Sequence, residues 1–362
     1  MTSNFDWPPA ALTKTLERMR ISYAAALIAL AIFGTSPAHS AARSDKPMMK
    51  AVVMHAYGGA EVLKLEDVPP PEPKDDEILI RVVAASINPV DVAIRKGYLA
   101  ELVGNKFPLI PGMDASGVVE KTGAKITKFK KGDPVFAFFT LAGEGGYAEF
   151  VVAKEDEVVA KPKTVSYAQA AAVGAAGSTA WEALVDTAKL SAGQTVLIHG
   201  GAGGVGHFAI QIAKARGAKV LATGSSVNQD FLKQMGADTT IDYTKTKFED
   251  VAKDVDVVLD MVGRDTLERS YGVVKKGGII VSIVGPPKQA ALDAHGIRGV
   301  ALRCTPKADV LEELARLMEA KKMTPVVSQT FPLTDVVKGQ EQIATRHTRG
   351  KIVLRVADEP KG

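Results

Sequence analysis

Residues 196–224 read VLIHGGAGGVGHFAIQIAKARGAKVLATG. Val196–His199 is an apolar run of the kind shown by a strand buried on both faces. Gly200, Gly203 and Gly206 follow as G-x-x-G-x-x-G, with Gly204 and Val205 inside the turn. His207–Arg216 places Phe208, Ile212 and Ala213 on one helical face, and Gly217 stops that helix. Val220–Thr223 is the next strand. Small residues let backbone amides and a helix N-terminus come close to a pyrophosphate. The strand before and the helix after set this pattern apart from an ordinary tight turn. The stretch therefore predicts a dinucleotide site in a parallel, doubly wound α/β sheet.

The end of the second strand bears on which dinucleotide. An NAD site carries an acidic residue about 20 positions on, which holds the ribose 2′-hydroxyl. Here Thr223, Gly224, Ser225 and Ser226 occupy that place, with no Asp or Glu. A carboxylate repels a 2′-phosphate, whereas hydroxyls and backbone amides suit one, so the expected cofactor is NADPH. The competing reading of Ser225 and Ser226 is that they are plain turn residues.

A length of 362 residues suggests about two domains. The composition, 46% hydrophobic and 24% charged, is that of a globular protein. Net charge is +4, and residues 1–47 hold five Lys/Arg against three Asp/Glu, so the remainder carries only +2. With no basic stripe, nucleic acid is not an expected partner. The single cysteine, Cys304, excludes an intrachain disulfide framework and any multi-cysteine zinc site.

Residues 1–47 differ in character from the rest. Arg18 and Arg20 precede Ile21–Gly34, a segment dominated by Ala, Leu and Ile, and Pro37, Ala38, Ser40, Ala41 and Ala42 follow. This is the pattern of a secretory signal peptide, with an apolar part too short for a stable membrane span. An exported, periplasmic protein is one expectation. The other is that translation begins at Met48 or Met49 and the protein is cytoplasmic, as NADPH use favours.

From Lys50 onward, short strands are expected at Lys50–His55, Ile78–Ala84, Val118–Glu120, after the Gly132-Asp133 turn and at Phe150–Val152. Ser166–Ala188 is Ala-rich and expected to be helical, broken at Gly174 and Gly177. Asp256–Asp260, Gly278–Val284 and Gly299–Cys304 read as further buried strands. Asp309, with Glu312 three residues on, is expected to cap a helix whose apolar face is Leu311, Leu314 and Met318. Lys351–Val356 reads as a last strand returning to the β-rich part.

Several motifs then resemble one family. They are SINPVD (86–91), PGMDASGVVEKTG (111–123), FKKGDPVFAF (129–138), GSTAWEAL (177–184), HGGAGGVG (199–206), MGAD (235–238), IDY (241–243) and GKIVL (350–354). In this order they resemble the zinc-independent quinone oxidoreductase and NADPH-dependent alkenal/enone reductase branch of the medium-chain dehydrogenase/reductases. The resemblance covers about residues 48–356. It implies a GroES-like catalytic domain from residues 48–172 and 305–362 around a Rossmann NADPH-binding domain at 173–304. It also implies an active site in the cleft between them and a homodimer.

The resemblance assigns residues one at a time. Asn88 stands where zinc-dependent relatives place a cysteine ligand, and Met113 where they place a histidine, so no metal site is expected. Asn88 is expected beside the nicotinamide and substrate. Asp91 is expected to be buried, paired with Arg95 or a neighbour. Thr179 matches a threonine at the nicotinamide ribose. Gly200, Gly203, Gly204, Val205 and Gly206 match the pyrophosphate turn. Ser225, Ser226 and Tyr243 match the 2′-phosphate contacts, Tyr243 being equally readable as packing. Arg303, in the 302–304 segment, and Lys351 match further cofactor contacts. Ala93 stands where relatives often carry a substrate-facing Tyr or Lys, and Tyr98 is the candidate to fill that space.

The implied activity is hydride transfer from NADPH to a quinone or an α,β-unsaturated carbonyl. Such acceptors are already polarised, so positioning and donors near the developing oxyanion suffice. A non-catalytic NADPH-binding interaction protein, given weight by Ala93, and a zinc alcohol dehydrogenase are the other readings.

Overall fold

The structure, a computed structural model, describes residues 47–140 and 145–360. The signal-peptide pattern at 18–42 lies outside the described residues. The unit considered below is Met48–Gly362.

The first strands are β1 (Met49–Val53), β2 (Lys64–Val68), β3 (Glu77–Ile87), β4 (Asp114–Thr122), β5 (Pro134–Phe138), β6 (Phe150–Lys154) and β7 (Val158–Ala160). The middle of the chain supplies β8 (Thr195–Ile198), β9 (Lys219–Gly224), β10 (Thr239–Asp242), β11 (Val255–Asp260), β12 (Val274–Ser282) and β13 (Arg298–Ala301). Two more, β14 (Val327–Pro332) and β15 (Lys351–Arg355), follow.

Among the described residues, β8–β13 form a six-stranded sheet in the order β10-β9-β8-β11-β12-β13. Every pairing in it is parallel. Its apolar strands are covered by helices, as a parallel sheet requires. The chain winds outward from β8 to β10, then restarts at β11 on the other side. The crevice at the carboxyl ends of β8 and β11 is thus a topological switch point, where open α/β sheets bind ligands.

The other large sheet runs β14-β15-β3-β4-β5-β7, with β6 paired to β3. The late strand β15 pairs antiparallel with β3, Ile352 opposite Ile87. The return of the chain expected from GKIVL is therefore real, and it brings residue 351 beside residue 87. Phe136 and Phe138 of this sheet share one buried cluster with Ala180, Leu184, Phe208, Leu311 and Leu314. Burial of that cluster joins the two sheets through apolar surface.

Three local expectations change. The Ala-rich segment divides into helices Tyr167–Ala171 and Gly174–Trp181 and a π-helical turn at Glu182–Thr187. Gly177 does not break it. A Cβ there would lie 2.9 Å from Val173 and 3.1 Å from Leu314, so glycine serves close packing inside the helix. Asp309 is not the cap of its helix, which runs Ala308–Glu319 from Lys307. Its carboxylate instead accepts from the Val310 N–H in the first turn, at 2.8 Å. The strand expected at Gly299–Cys304 stops at Ala301, because the chain leaves the sheet and Cys304 turns to Glu182.

Candidate active site

The glycine turn connects β8 to the helix Gly204–Ala215. Gly200 has φ +73°, a conformation that suits only glycine at low cost. A Cβ on Gly206 would lie 2.3 Å from Gly200 O, so turn and helix touch without side chains between them. Thr223, at the end of β9, holds the turn. Its Oγ1 accepts from Gly200 N–H at 3.1 Å, and its carbonyl accepts from Gly201 N–H at 3.0 Å.

Gly203 is the N-cap, and no side chain caps this helix. The first helical bond runs from His207 N–H to Gly203 O, so the N–H groups of Gly204, Val205 and Gly206 precede it. Uncapped amides at the positive end of a twelve-residue helix form a cradle for a pyrophosphate. A dinucleotide fits here on the structure's own terms.

His207 anchors the turn from below. Its Nδ1 contacts Gly203 O at 3.0 Å, and its Nε2 accepts from Val326 N–H at 3.3 Å. A carbonyl only accepts and an amide N–H only donates, so the neutral Nδ1–H tautomer is the one that fits. Burial pushes this imidazole down to about 4. His199, at the end of β8, is likewise pushed down to about 4 by burial and contacts Thr223 and Ser270.

At the far end of the turn, β9 and β10 run in parallel register with Gly224 beside Asp242. This places Ser225 and Ser226, which follow β9, and Tyr243, which follows β10, at the same end of the two paired strands. Tyr243 is 57% exposed, and its N–H reaches Gly224 O at 3.3 Å. The register also delivers a carboxylate that reading along residues 223–226 had missed. Asp242 Oδ2 accepts from Ser226 Oγ at 2.5 Å, and its Oδ1 accepts from Thr244 Oγ1 at 2.6 Å. These hydroxyls hold its carboxyl down at about 2.

Asn88 ends β3 and precedes the helix Pro89–Arg95. It is 5% exposed, and both ends of its carboxamide are engaged. Nδ2 donates to Asp114 Oδ2 at 2.8 Å, and Oδ1 accepts from Lys351 Nζ at 2.5 Å. Lys351 also donates to Ile87 O at 3.3 Å and lies 3.8 Å from Asp114 Oδ2. Asp114 further accepts from Ser86 Oγ at 2.6 Å and Ala175 N–H at 2.6 Å. The ammonium can only donate and the carboxylate can only accept, so the Asn88 amide has one orientation. Its second N–H is left for another acceptor.

Asp91 is fully buried, as expected, but its partners are the Asn88 N–H and the Tyr147 hydroxyl, each at 2.7 Å, rather than Arg95. Burial pushes its carboxyl up to about 7. Burial also lowers the Lys351 ammonium, against the pull of Asp114 and Asp91. Sequence reading had placed Lys351 toward the cofactor. The structure buries it at Asn88, with its aliphatic stem beside Gly204, where an added Cβ would stand 3.1 Å from Cδ. Asp114, Ser86 and Tyr147 were not singled out as functional. The available signal was an aspartate opening β4 ahead of the small and apolar residues Ala115, Gly117, Val118 and Val119.

The remaining candidates are dispersed. Thr179 donates from Oγ1 to Ala175 O at 2.7 Å, one turn from the Ala175 amide that binds Asp114. Arg303 is exposed after β13. Tyr98 is 41% exposed, with the Lys96 ammonium 6.0 Å from its ring centre. Cys304 donates to Glu182 Oε1 at 3.1 Å, and Lys307 pairs with Glu182 Oε2 at 3.1 Å. Burial and that carboxylate push the thiol well above its ordinary range. No group of three or more His, Cys, Asp or Glu side chains that could hold a metal ion occurs among the described residues.

A parallel sheet with an uncapped glycine turn, joined to a β-rich unit that carries a buried amide site, defines a nucleotide-dependent oxidoreductase architecture. Residues 74–163 match the alcohol dehydrogenase GroES-like domain, and residues 235–354 match the zinc-binding dehydrogenase model. The chloroplastic NADPH-dependent alkenal/one oxidoreductase of Arabidopsis thaliana is 40% identical over 84% of this chain and 79% of the relative. The quinone oxidoreductase of Sus scrofa is 37% identical over 86% of this chain and 99% of the relative. The quinone oxidoreductase structure from Coxiella burnetii superposes with a TM-score of 0.80 at 36% identity, covering 86% of this chain and all of that one. The chain belongs to the medium-chain dehydrogenase/reductase superfamily, in its quinone oxidoreductase and alkenal/enone reductase branch.

Proposed function

We propose that this protein is an NADPH-dependent oxidoreductase that reduces quinones or α,β-unsaturated carbonyls without a metal ion. The observation that carries the reading is the Asn88 amide, locked between Lys351 and Asp114 at the carboxyl end of β3. NADPH supplies the hydride. Gly203–Gly206 and the start of the Gly204–Ala215 helix bind its pyrophosphate, with Gly200 giving the turn its shape. Thr179 lies toward the nicotinamide ribose, and Ser225, Ser226 and Tyr243 toward the 2′-phosphate. The free N–H of Asn88 donates to the substrate oxygen as negative charge develops there. Because Lys351 and Asp114 hold the amide beforehand, little reorganisation is needed during the reaction.

The same geometry favours metal independence. An ammonium 2.5 Å from Asn88 Oδ1 repels a divalent ion at that place. Met113, at the position of a histidine ligand in zinc-dependent relatives, offers only a thioether. Without a Lewis acid, the acceptor must be electrophilic by itself, which favours quinones and enones over simple ketones. NADPH consumption should be screened across quinones, enones, aldehydes and ketones, with and without a chelator. Turnover of a quinone or an enone unchanged by chelator is the expected result. Fast ketone reduction abolished by chelator would put the protein among zinc enzymes, and no turnover of any acceptor would favour a non-catalytic binding role.

We also read the catalytic part as residues 48–172 with 305–362, and the cofactor part as 173–304. The assembly proposed is a homodimer, in keeping with β13, which among the described residues pairs only with β12 and leaves its other edge open. For residues 1–47 the reading is a cleaved signal peptide, checked by mass spectrometry of the native N-terminus. Cleavage near residues 39–43 supports export, and a start at Met48 or Met49 supports a cytoplasmic protein.

A further inference from the structure

We propose that Arg349, carried on the segment just before β15, is the counter-charge for the 2′-phosphate of the cofactor. The inference rests on the NADPH reading above and adds to it a residue from outside the nucleotide sheet. Arg349 donates from Nε to Asn228 Oδ1 at 3.0 Å and from Nη2 to Val227 O at 2.9 Å. Its guanidinium lies over the Phe231 ring, 5.2 Å from the centroid. Asn228 in turn donates from Nδ2 to Ser225 Oγ at 3.0 Å. One side chain therefore separates the guanidinium from the Ser225 hydroxyl.

The charges around this loop are unbalanced in a way that points to an anion. On one side, Asp242 takes hydrogen bonds from Ser226 and Thr244 and lies 3.5 Å from Lys245 Nζ. Its carboxyl is held at about 2, so it is an anion at working pH and Lys245 is its partner. On the other side, both hydrogen-bond acceptors of Arg349 are neutral, a carbonyl and an amide oxygen. Among the described residues, no carboxylate forms an ion pair with it. A phosphate between Ser225 and Ser226 faces the repulsion of Asp242 and needs a cation whose charge is not already matched. Arg349 is that cation, and its planar fork suits phosphate oxygens. The Phe231 face and the Val227 carbonyl hold the fork in place beforehand, which lowers the ordering cost of binding.

The test uses the whole protein as wild type, Arg349→Ala and Arg349→Lys. NADPH and NADH are titrated by nucleotide fluorescence, and 2′,5′-ADP and 5′-AMP by calorimetry at low salt. Arg349→Ala should weaken NADPH and 2′,5′-ADP by about tenfold or more, while NADH and 5′-AMP stay within about twofold. Arg349→Lys, a cation without the fork, should fall between. Equal weakening of NADPH and NADH overturns the proposal and makes Arg349 a clip for the loop. Unchanged NADPH binding also overturns it. A wild type that fails to distinguish NADPH from NADH, and 2′,5′-ADP from 5′-AMP, overturns the cofactor reading itself, and does so before any substitution is made.

Discussion

Lys351 and Asn88 are separated by 263 positions in the chain and meet at 2.5 Å, ammonium to amide oxygen. The contact exists because β15 pairs with β3 beside Asn88. Lys351 is thus a positioning residue. It sets which way the Asn88 amide faces and offsets the buried charge of Asp114, to which the amide nitrogen is bound.

Removing that ammonium should cost more stability than removing the pair. Lys351→Met leaves Asp114 buried without its cation, and a loss of about 3 kcal/mol is expected. Lys351→Met combined with Asp114→Asn should lose less than the sum of the two single changes. Urea unfolding of the four proteins measures the coupling, and simple additivity would show that the two residues do not act together.

Asn88→Ala should separate turnover from cofactor binding. Loss of one oxyanion donor lowers kcat by about 10²-fold. NADPH affinity should change by no more than about threefold, because the pyrophosphate turn is elsewhere. Steady-state kinetics alongside fluorescence titration gives both values. The reverse pattern, weak NADPH binding with normal kcat, would remove Asn88 from the chemistry.

Asp91 and the two buried histidines should act on stability in opposite senses as pH changes. The folded pKa of Asp91 is raised to about 7 from an ordinary value near ~4, so its contribution is full at low pH and is lost as pH rises toward 7. His199 and His207 are lowered to about 4 from about 6.5, so theirs is full above that value and is lost as pH falls toward 4. Each proton accounts for at most about 1.4 kcal/mol per pH unit. Unfolding free energy measured from pH 4 to 8 should therefore rise more steeply with pH in Asp91→Asn than in the wild type. An identical profile in the two proteins would show that Asp91 titrates normally.

Cys304 should be a poor nucleophile despite being partly accessible. Its thiol donates to the Glu182 carboxylate, so forming a thiolate there places two negative charges side by side. Reaction with a disulfide reagent at pH 8 should be at least about tenfold slower than for a free thiol, and Glu182→Gln should speed it. Rapid labelling of the wild type would contradict the arrangement.

Much of this architecture was legible in the sequence because local rules and packing agree there. The glycine turn, the parallel strands after it and the return at 350–354 each carry a pattern readable within a short window. What escaped came from pairings between distant segments. Asp242 meets Ser226 only because β10 lies in register with β9. Asp114 and Lys351 converge on Asn88 only when three strands are assembled. Gly177 looked like a helix breaker because propensity ignores Leu314, which needs the missing side chain. The helix containing Asp309 begins two residues earlier than a capping pattern suggests, and that carboxylate satisfies the amide next to it.

The bond from Gly350 N–H to Ala202 O, at 2.9 Å, ties the strand bearing Lys351 directly to the nucleotide turn. During synthesis, β3 and β4 leave the ribosome long before that strand exists. Until it arrives, Asp91 and Asp114 have no buried cation, and the β-rich sheet lacks β15 between β3 and β14. The nascent chain therefore cannot finish the Asn88–Asp114–Lys351 cluster, or tie it to the glycine turn through Gly350, until this one late segment arrives.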